Sequence, residues 1–272
     1  MTTSQKQRID RCDPVWSQVR IEAETAAENE PVLASFMHST ILDHDSLESV
    51  ILHRLSQRLG HHDLSFASLR QALSIAVEAV GEFSEIIRAD LAAVFDRDPA
   101  CNRLIDPLLY FKGFHALETH RLSNSLWKTG RRDFAQYLQS MSSSVFTVDI
   151  HPAAQIGRGI MFDHASGVVI GETAVIGDNS SLLHGVTLGG SGKDTGDRHP
   201  KIGSNVMIGA GAKILGNIHV GDCARVAAGS VVLKDVPTQT TVAGVPAKVV
   251  GPAGCPEPAR TMNQMLGLEE SE

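Results

Sequence analysis

The stretch Ile202-Gly203-Ser204-Asn205-Val206-Met207-Ile208-Gly209-Ala210-Gly211-Ala212-Lys213-Ile214 sets an isoleucine at every sixth position. Val220, Val226 and Val232 continue the count, and two earlier runs share its step: Ile150, Ile156, Phe162, Val168, then Ile170, Ile176, Leu182, Leu188. Glycine follows directly at 157, 171, 177, 203, 209 and 221. Helices repeat at 3.6 residues and strands at 2.0, so a period of six belongs to neither. Three sides of six close a triangular coil of about 18 residues, and stacked coils bury one continuous apolar column. Such a coil is a stiff rack that holds polar side chains at fixed heights.

The count breaks twice. Between Val168 and Ile170 it slips, which places two extra positions at a corner near Gly167. The interval from Leu188 to Ile202 overshoots a double step by two, and the intervening stretch 189–200 has no apolar member. A polar, Gly-rich insertion in a strict repeat reads as a loop thrown out from the rack, and as the loop that carries function.

Composition divides the 272 residues near position 145: Ala, Leu, Glu, Gln and Arg dominate before it, Gly, Val and Ile after it. The expectation is an α+β chain of three parts: a helical domain at 1–145, the coil at 146–250 and a flexible tail at 251–272. A net charge of -7 without a basic run argues against nucleic acid or an anionic membrane as partner. No apolar span is long enough for a membrane helix and the start, Met1 to Asp13, is polar, so a soluble, intracellular protein is expected. Cys12, Cys101, Cys223 and Cys255 form no Cys-x-x-Cys pair and read as reduced structural thiols.

Helical faces are predicted through Val15, Val19, Ala23 and Ala26; Leu47 to Leu59, stopping at Gly60; Leu69 to Val80; and Phe83 to Val94, broken by Asp98-Pro99. Leu108 to Trp127 and Phe134 to Met141 make two more. This half serves either as a cap on the open edge of the rack or as an oligomerisation surface.

On the rack, His164 and His184 each lie two places after an apolar repeat residue, Phe162 and Leu182. They are therefore neighbours on successive coils, about one strand spacing (~5 Å) apart. One standard coil after Asp149 the same column passes Gly167, just beyond His164, so this carboxylate is expected to reach the imidazole from the coil below. Histidine oriented by a carboxylate is the usual base for activating a hydroxyl. In the loop, Arg198 offers a planar fork suited to a carboxylate, with His199 beside it.

The run Asp149-Ile150-His151-Pro152-Ala153-Ala154, its continuation Gly157 to Ala165, His184 to Gly190, Gly196-Asp197-Arg198-His199-Pro200 and Ala243 to Ala247 closely resemble bacterial serine O-acetyltransferases. In the helical half so do Asp98-Pro99-Ala100 and Pro107 to Ala116. The resemblance implies a left-handed parallel β-helix and acetyl transfer from acetyl-CoA to the L-serine hydroxyl, the entry to cysteine synthesis. It assigns His164 as general base and Asp149 as its orienting partner. Asp98 and Asp163 would hold the serine ammonium, Arg198 and His199 its carboxylate, and L-cysteine would inhibit at the same place. Gly190, Ala210 and Ala228 match acetyl-CoA contacts; Arg225 and Lys248 are candidates for its phosphates. No metal and no tightly bound cofactor are implied.

A homotrimer, paired into hexamers by the helical domains, is also implied. Many members insert a C-terminal Ile into O-acetylserine sulfhydrylase, but this sequence ends Glu269-Glu270-Ser271-Glu272, so either the sequence is cut short or the tail does not anchor that partner in the usual way. Three rivals remain: a zinc hydratase using His164, His184 and His199, a transferase acting on sugars or other amines, and a trimeric acyl-CoA scaffold.

Overall fold

Helices fill the first half of the chain and short strands the second. The computed structural model describes residues 13–192 and 195–265. Cys12, Lys193 and Asp194 of the loop and the acidic C-terminal residues lie outside the described residues.

Helix α1 (Pro14–Asn29) buries Trp16, Val19, Ala23 and Ala26. An irregular helical run from Pro31 to Leu42, which the periodicity did not predict, follows it. α2 (Leu47–Leu59) and α3 (Phe66–Glu78) begin at Ser46 and Ser65, whose hydroxyls accept the N–H groups of Ser49 and Ser68. α4 (Phe83–Arg97) ends at Asp98, where Pro99 forces extended backbone. The segment read as one helix from Leu108 is two, α5 (Ile105–Leu109) and α6 (Lys112–Lys128), before α7 (Arg132–Phe146). Among the described residues no helix is long and apolar enough to cross a membrane.

α6 is buried around most of its circumference, which is why its sequence shows little amphipathic contrast. It lies so close to the coil that a Cβ on Gly113 would overlap the Phe162 carbonyl. Arg121 donates to Asp90 from Nε at 3.1 Å and Nη2 at 2.7 Å and to the Ile156 carbonyl from Nη1 at 2.7 Å, while Asp90 accepts the Ile160 N–H at 2.8 Å. These buried bonds rivet α4 and α6 to the first coil.

The coil has three faces. Face one stacks β1 (Val148–Ile150), β4 (Val168–Ile170), β7 (Thr187–Gly189), β10 (Lys213–Leu215) and β13 (Val231–Val232). Face two stacks β2 (Gln155–Ile156), β5 (Val175–Ile176), β8 (Lys201–Ile202) and β11 (His219–Val220). Face three stacks β3 (Met161–Asp163), β6 (Ser181–Leu183), β9 (Met207–Ile208) and β12 (Arg225–Val226), then β14 (Thr240–Gly244) and β15 (Ala247–Pro252). Every pairing is parallel except the closing β14–β15 hairpin. The repeat aliphatics form the column, and α7 leads into β1, with Ser142 donating to the Val148 carbonyl at 3.1 Å.

Register corrects two expectations. Ile150 pairs with Ile170, Ile170 with Leu188, Leu188 with Ile214 and Ile214 with Val232. The second and fourth of these coils have the standard length, the first is longer by two positions and the third, which carries the loop, by eight. Leu188 and Ile202 stand on consecutive faces, normally one six-residue step apart, so the loop inserts eight positions rather than two. Because the first coil is the longer kind, Asp149 pairs with Val169, not Gly167. Residues 253–265 also fold back: α8 (Pro258–Thr261) offers the Ala259 carbonyl to Ser181 Oγ at 2.8 Å, and Arg260 meets Asp96 at 2.8 Å.

Candidate active site

The two extra positions of the first coil fall at the corner between faces three and one. There His164, Ala165 and Gly167 have φ of 54°, 58° and 74°. Left-handed backbone is costly for residues with a Cβ, and here it pushes the His164 ring outward, leaving its side chain 79% exposed. Phe162 pairs with Leu182, Leu182 with Ile208 and Ile208 with Val226. His164, His184, Ala210 and Ala228 each follow one of these by two, so they make one vertical column. The His164 and His184 ring centroids lie 6.2 Å apart, edge to face.

A cavity of ≈ 390 Å³ opens beside His164, lined among others by Asp98, Tyr110, Lys112, Phe162 and Asp163. Asp163 ends β3 and faces His164 Nε2 at 3.8 Å. Burial raises its carboxyl above the ordinary range and nearby Asp98 adds to the rise, against the opposing pull of His164 and His184. Asp98 itself accepts the Ala100 N–H at 2.8 Å. Two acids in one cleft under a basic ring suit an ammonium group. Lys112 bonds Thr147 Oγ1 at 3.2 Å and Ser166 Oγ, which ties the start of α6 to the corner.

Arg198 and His199 stand at the next corner, between faces one and two. Thr173 Oγ1 accepts both of their backbone N–H groups at 3.0 Å. The Arg198 side chain donates to Glu172 Oε2 at 2.8 Å and the Gly196 carbonyl at 3.0 Å. His199 is 7% exposed and lies against Gly171. Its Nδ1 receives the Thr173 N–H at 3.2 Å and lies 2.9 Å from the Thr173 hydroxyl, which leaves the ring proton on Nε2. Burial, then the Arg198 charge, lowers its pKa, so the ring is a neutral donor.

The predicted residues thus form two half-sites. Asp98, Asp163 and His164 come together; Arg198 and His199 come together one face away. Asp149 joins neither: its Oδ1 accepts from Gln139 Nε2 at 2.7 Å, and among the described residues no hydrogen bond or ion pair links it to His164 in one chain. The longer first coil shifts it two positions from the corner. His199 likewise stands apart from His164 and His184, so one chain does not assemble the three-histidine set.

Of the acetyl-CoA candidates, Ala210 and Ala228 rise above His184, Gly190 packs against the Arg198 stem and Lys248 is exposed on β15. Arg225 differs from these in being buried. It is 9% exposed and spent on Thr241 Oγ1 at 3.2 Å and the Asn263 carbonyl at 3.1 Å, beneath the returning tail. Glu172 and Thr173, which hold the second half-site, were not predicted; they occupy an ordinary repeat corner, where only the register of the distant loop reveals their role.

The family description "Serine acetyltransferase, N-terminal" matches residues 15–119, and "Bacterial transferase hexapeptide (six repeats)" matches 199–234. A serine acetyltransferase of Salmonella typhimurium is 52% identical over 250 residues, 92% of this chain and 92% of that one. The crystal structure of a Brucella abortus serine acetyltransferase in complex with coenzyme A superposes with a TM-score of 0.89 at 59% identity, covering 91% of this chain and 99% of that one. A serine acetyltransferase solved in complex with cysteine gives 0.91 at 50% identity, covering 93% and 98%.

Proposed function

The chain belongs to the serine acetyltransferase family, and on that premise we propose that its two half-sites meet across neighbouring subunits to acetylate L-serine. It transfers acetyl from acetyl-CoA to the serine hydroxyl, giving O-acetyl-L-serine and CoA at the entry to cysteine synthesis. One observation carries the arrangement: the acids with the base and the Arg198 cation with the neutral imidazole stand on different corners of one prism. A zwitterion the size of serine spans both only when a second prism presents its other corner.

In that arrangement Asp98 and Asp163 hold the ammonium, and the Arg198 fork and His199 Nε2–H hold the carboxylate. His164 takes the hydroxyl proton as serine oxygen attacks the thioester carbon. The tetrahedral oxyanion collapses, the C–S bond breaks, and the proton passes from His164 to sulfur. A well-placed base is worth on the order of 10²–10⁴ in rate. Asp149 acts on a base only across a subunit boundary. Gly190, Ala210 and Ala228 lie along the path for acetyl-CoA, with Lys248 as a phosphate candidate.

The same reading makes the coil the catalytic unit of a cytoplasmic trimer and the helical half the surface that pairs trimers into hexamers. L-cysteine, carrying the same two charged ends, inhibits at the serine site.

Subunit mixing tests the proposal. His164→Ala and Arg198→Ala trimers should each be nearly inactive in thiol release from acetyl-CoA with L-serine. Mixed trimers formed by co-expression should regain activity. No recovery in verified mixed trimers would place the whole site in one chain.

A further inference from the structure

His184 has no role in the mechanism above, yet it occupies a defined place in the column at the corner of faces three and one. In ascending order that column reads His164, His184, Ala210, Ala228, one residue per coil. The two alanines carry nothing beyond Cβ, so the column is low above the two rings, and His184 is the member of it next to the base. Its turn is fixed on three sides. The Gly185 N–H donates to the Ser166 carbonyl at 2.7 Å, the His184 carbonyl accepts the Gly211 N–H at 2.8 Å, and Lys213 Nζ donates to the Gly185 carbonyl. The backbone is therefore held between the coils below and above while the imidazole remains exposed.

Resting on the assignment of His164 as base and of the alanine column as the acetyl-CoA path, we propose that His184 is a further catalytic residue, donating a ring N–H to the departing sulfur. The order of atoms requires this place. Pantetheine descends past Ala228 and Ala210, and its sulfur precedes the acetyl carbon by one bond. With the carbon at serine oxygen beside His164, sulfur lies on its upper side, between the two rings, whose centroids are 6.2 Å apart, and within reach of both. As the C–S bond breaks its electron pair goes to sulfur, and the His184 N–H stabilises that thiolate until His164 delivers the proton taken from serine. The net products remain O-acetylserine and CoA, and His184 ends as it began.

A hydrogen bond to a charged partner is worth roughly 1.5–3 kcal/mol, or about ten- to a hundredfold in rate. Accordingly His184→Ala should lower kcat by about that factor, with KM for serine nearly unchanged. His184→Asn, which keeps an N–H donor, should recover a large part of the loss. Binding adds a second readout: the parent should hold CoA more tightly than desulfo-CoA, and His184→Ala should bind the two about equally. A kcat for His184→Ala within twofold of the parent, an Asn variant no better than Ala, or an undiminished preference for CoA would overturn the assignment. Were His164→Ala to retain turnover, the base assignment would fail instead; His164→Ala inactive with His184→Ala fully active defeats this inference alone.

Discussion

The Arg198 guanidinium is anchored on Glu172, whose carboxylate accepts from Nη2 at 2.8 Å. The same bond holds the Glu172 carboxyl below its ordinary range. Glu172 thereby aims a fork whose N–H groups beyond those given to Glu172 and Gly196 have no partner among the described residues and suit a substrate carboxylate. The pair is partly exposed, and such pairs contribute about 0.2–1 kcal/mol. Glu172→Gln should raise KM for serine by about two- to fivefold and leave kcat close to the parent value; steady-state kinetics at varied serine measures this. A change confined to kcat would show that Glu172 acts elsewhere.

Glu118 is fully buried beside the Asp90–Arg121 pair, and neither of its carboxyl oxygens receives a hydrogen bond from the described residues. Burial, then the Asp90 charge, raises its pKa well above the ordinary 4.5, so the folded chain holds it neutral. Below pH 4.5 the unfolded chain is protonated too and the group costs nothing. As pH rises past that value the unfolded chain ionises first, and stability is lost progressively until the folded pKa is reached. Glu118→Gln removes that titration. Urea midpoints of parent and variant should match near pH 4 and separate toward pH 8, with the variant more stable; parallel curves would contradict a raised carboxyl.

Much of the architecture was legible in the six-residue period, because each corner returns the chain to the same column. The His164–His184 neighbourhood followed directly, since both rings are counted from paired residues, Phe162 and Leu182. What failed was arithmetic across the phase breaks. A slip of two positions at His164 moved Asp149 from beneath Gly167 to beneath Val169. The loop absorbed eight positions, which a count of apolar residues cannot distinguish from two. Arg225 looked like a surface cation because nothing in a period tells that a tail will return over it. The helical run from Pro31 to Leu42 went unseen for want of a single repeat, being 3-10, α and π in turn.

At the corner between faces two and three, successive coils place Asn179, Asn205, Cys223 and Gln239 at φ of 58°, 57°, 55° and 53°. Asn tolerates this left-handed backbone best among residues with a Cβ, while for others it costs roughly 1–2 kcal/mol. Cys223→Asn should therefore stabilise the coil by up to about 1 kcal/mol, and its thermal midpoint under reducing conditions should rise by a few degrees. An unchanged or lower midpoint would mean that the half-buried thiol contributes packing that offsets the strain.

Gly171 sits beneath the His199 ring, where an added Cβ would overlap Nε2 and Cδ2. The ring cannot yield by turning in place, because its Nδ1 is held by Thr173 and its side chain is almost fully buried. Gly171→Ala should displace the imidazole, and with it the Nε2–H proposed to meet the serine carboxylate. The strands on either side, β4 and β5, retain their ladder partners, so the coil should still fold. The expected outcome is a rise in serine KM of about tenfold or more, since a lost hydrogen bond to a charged group costs roughly 1.5–3 kcal/mol. KM for acetyl-CoA should move far less, because the column of His184, Ala210 and Ala228 stands on another corner. Equal rises for both substrates would indicate a general loss of the coil, whereas an unchanged serine KM would remove His199 from the carboxylate site.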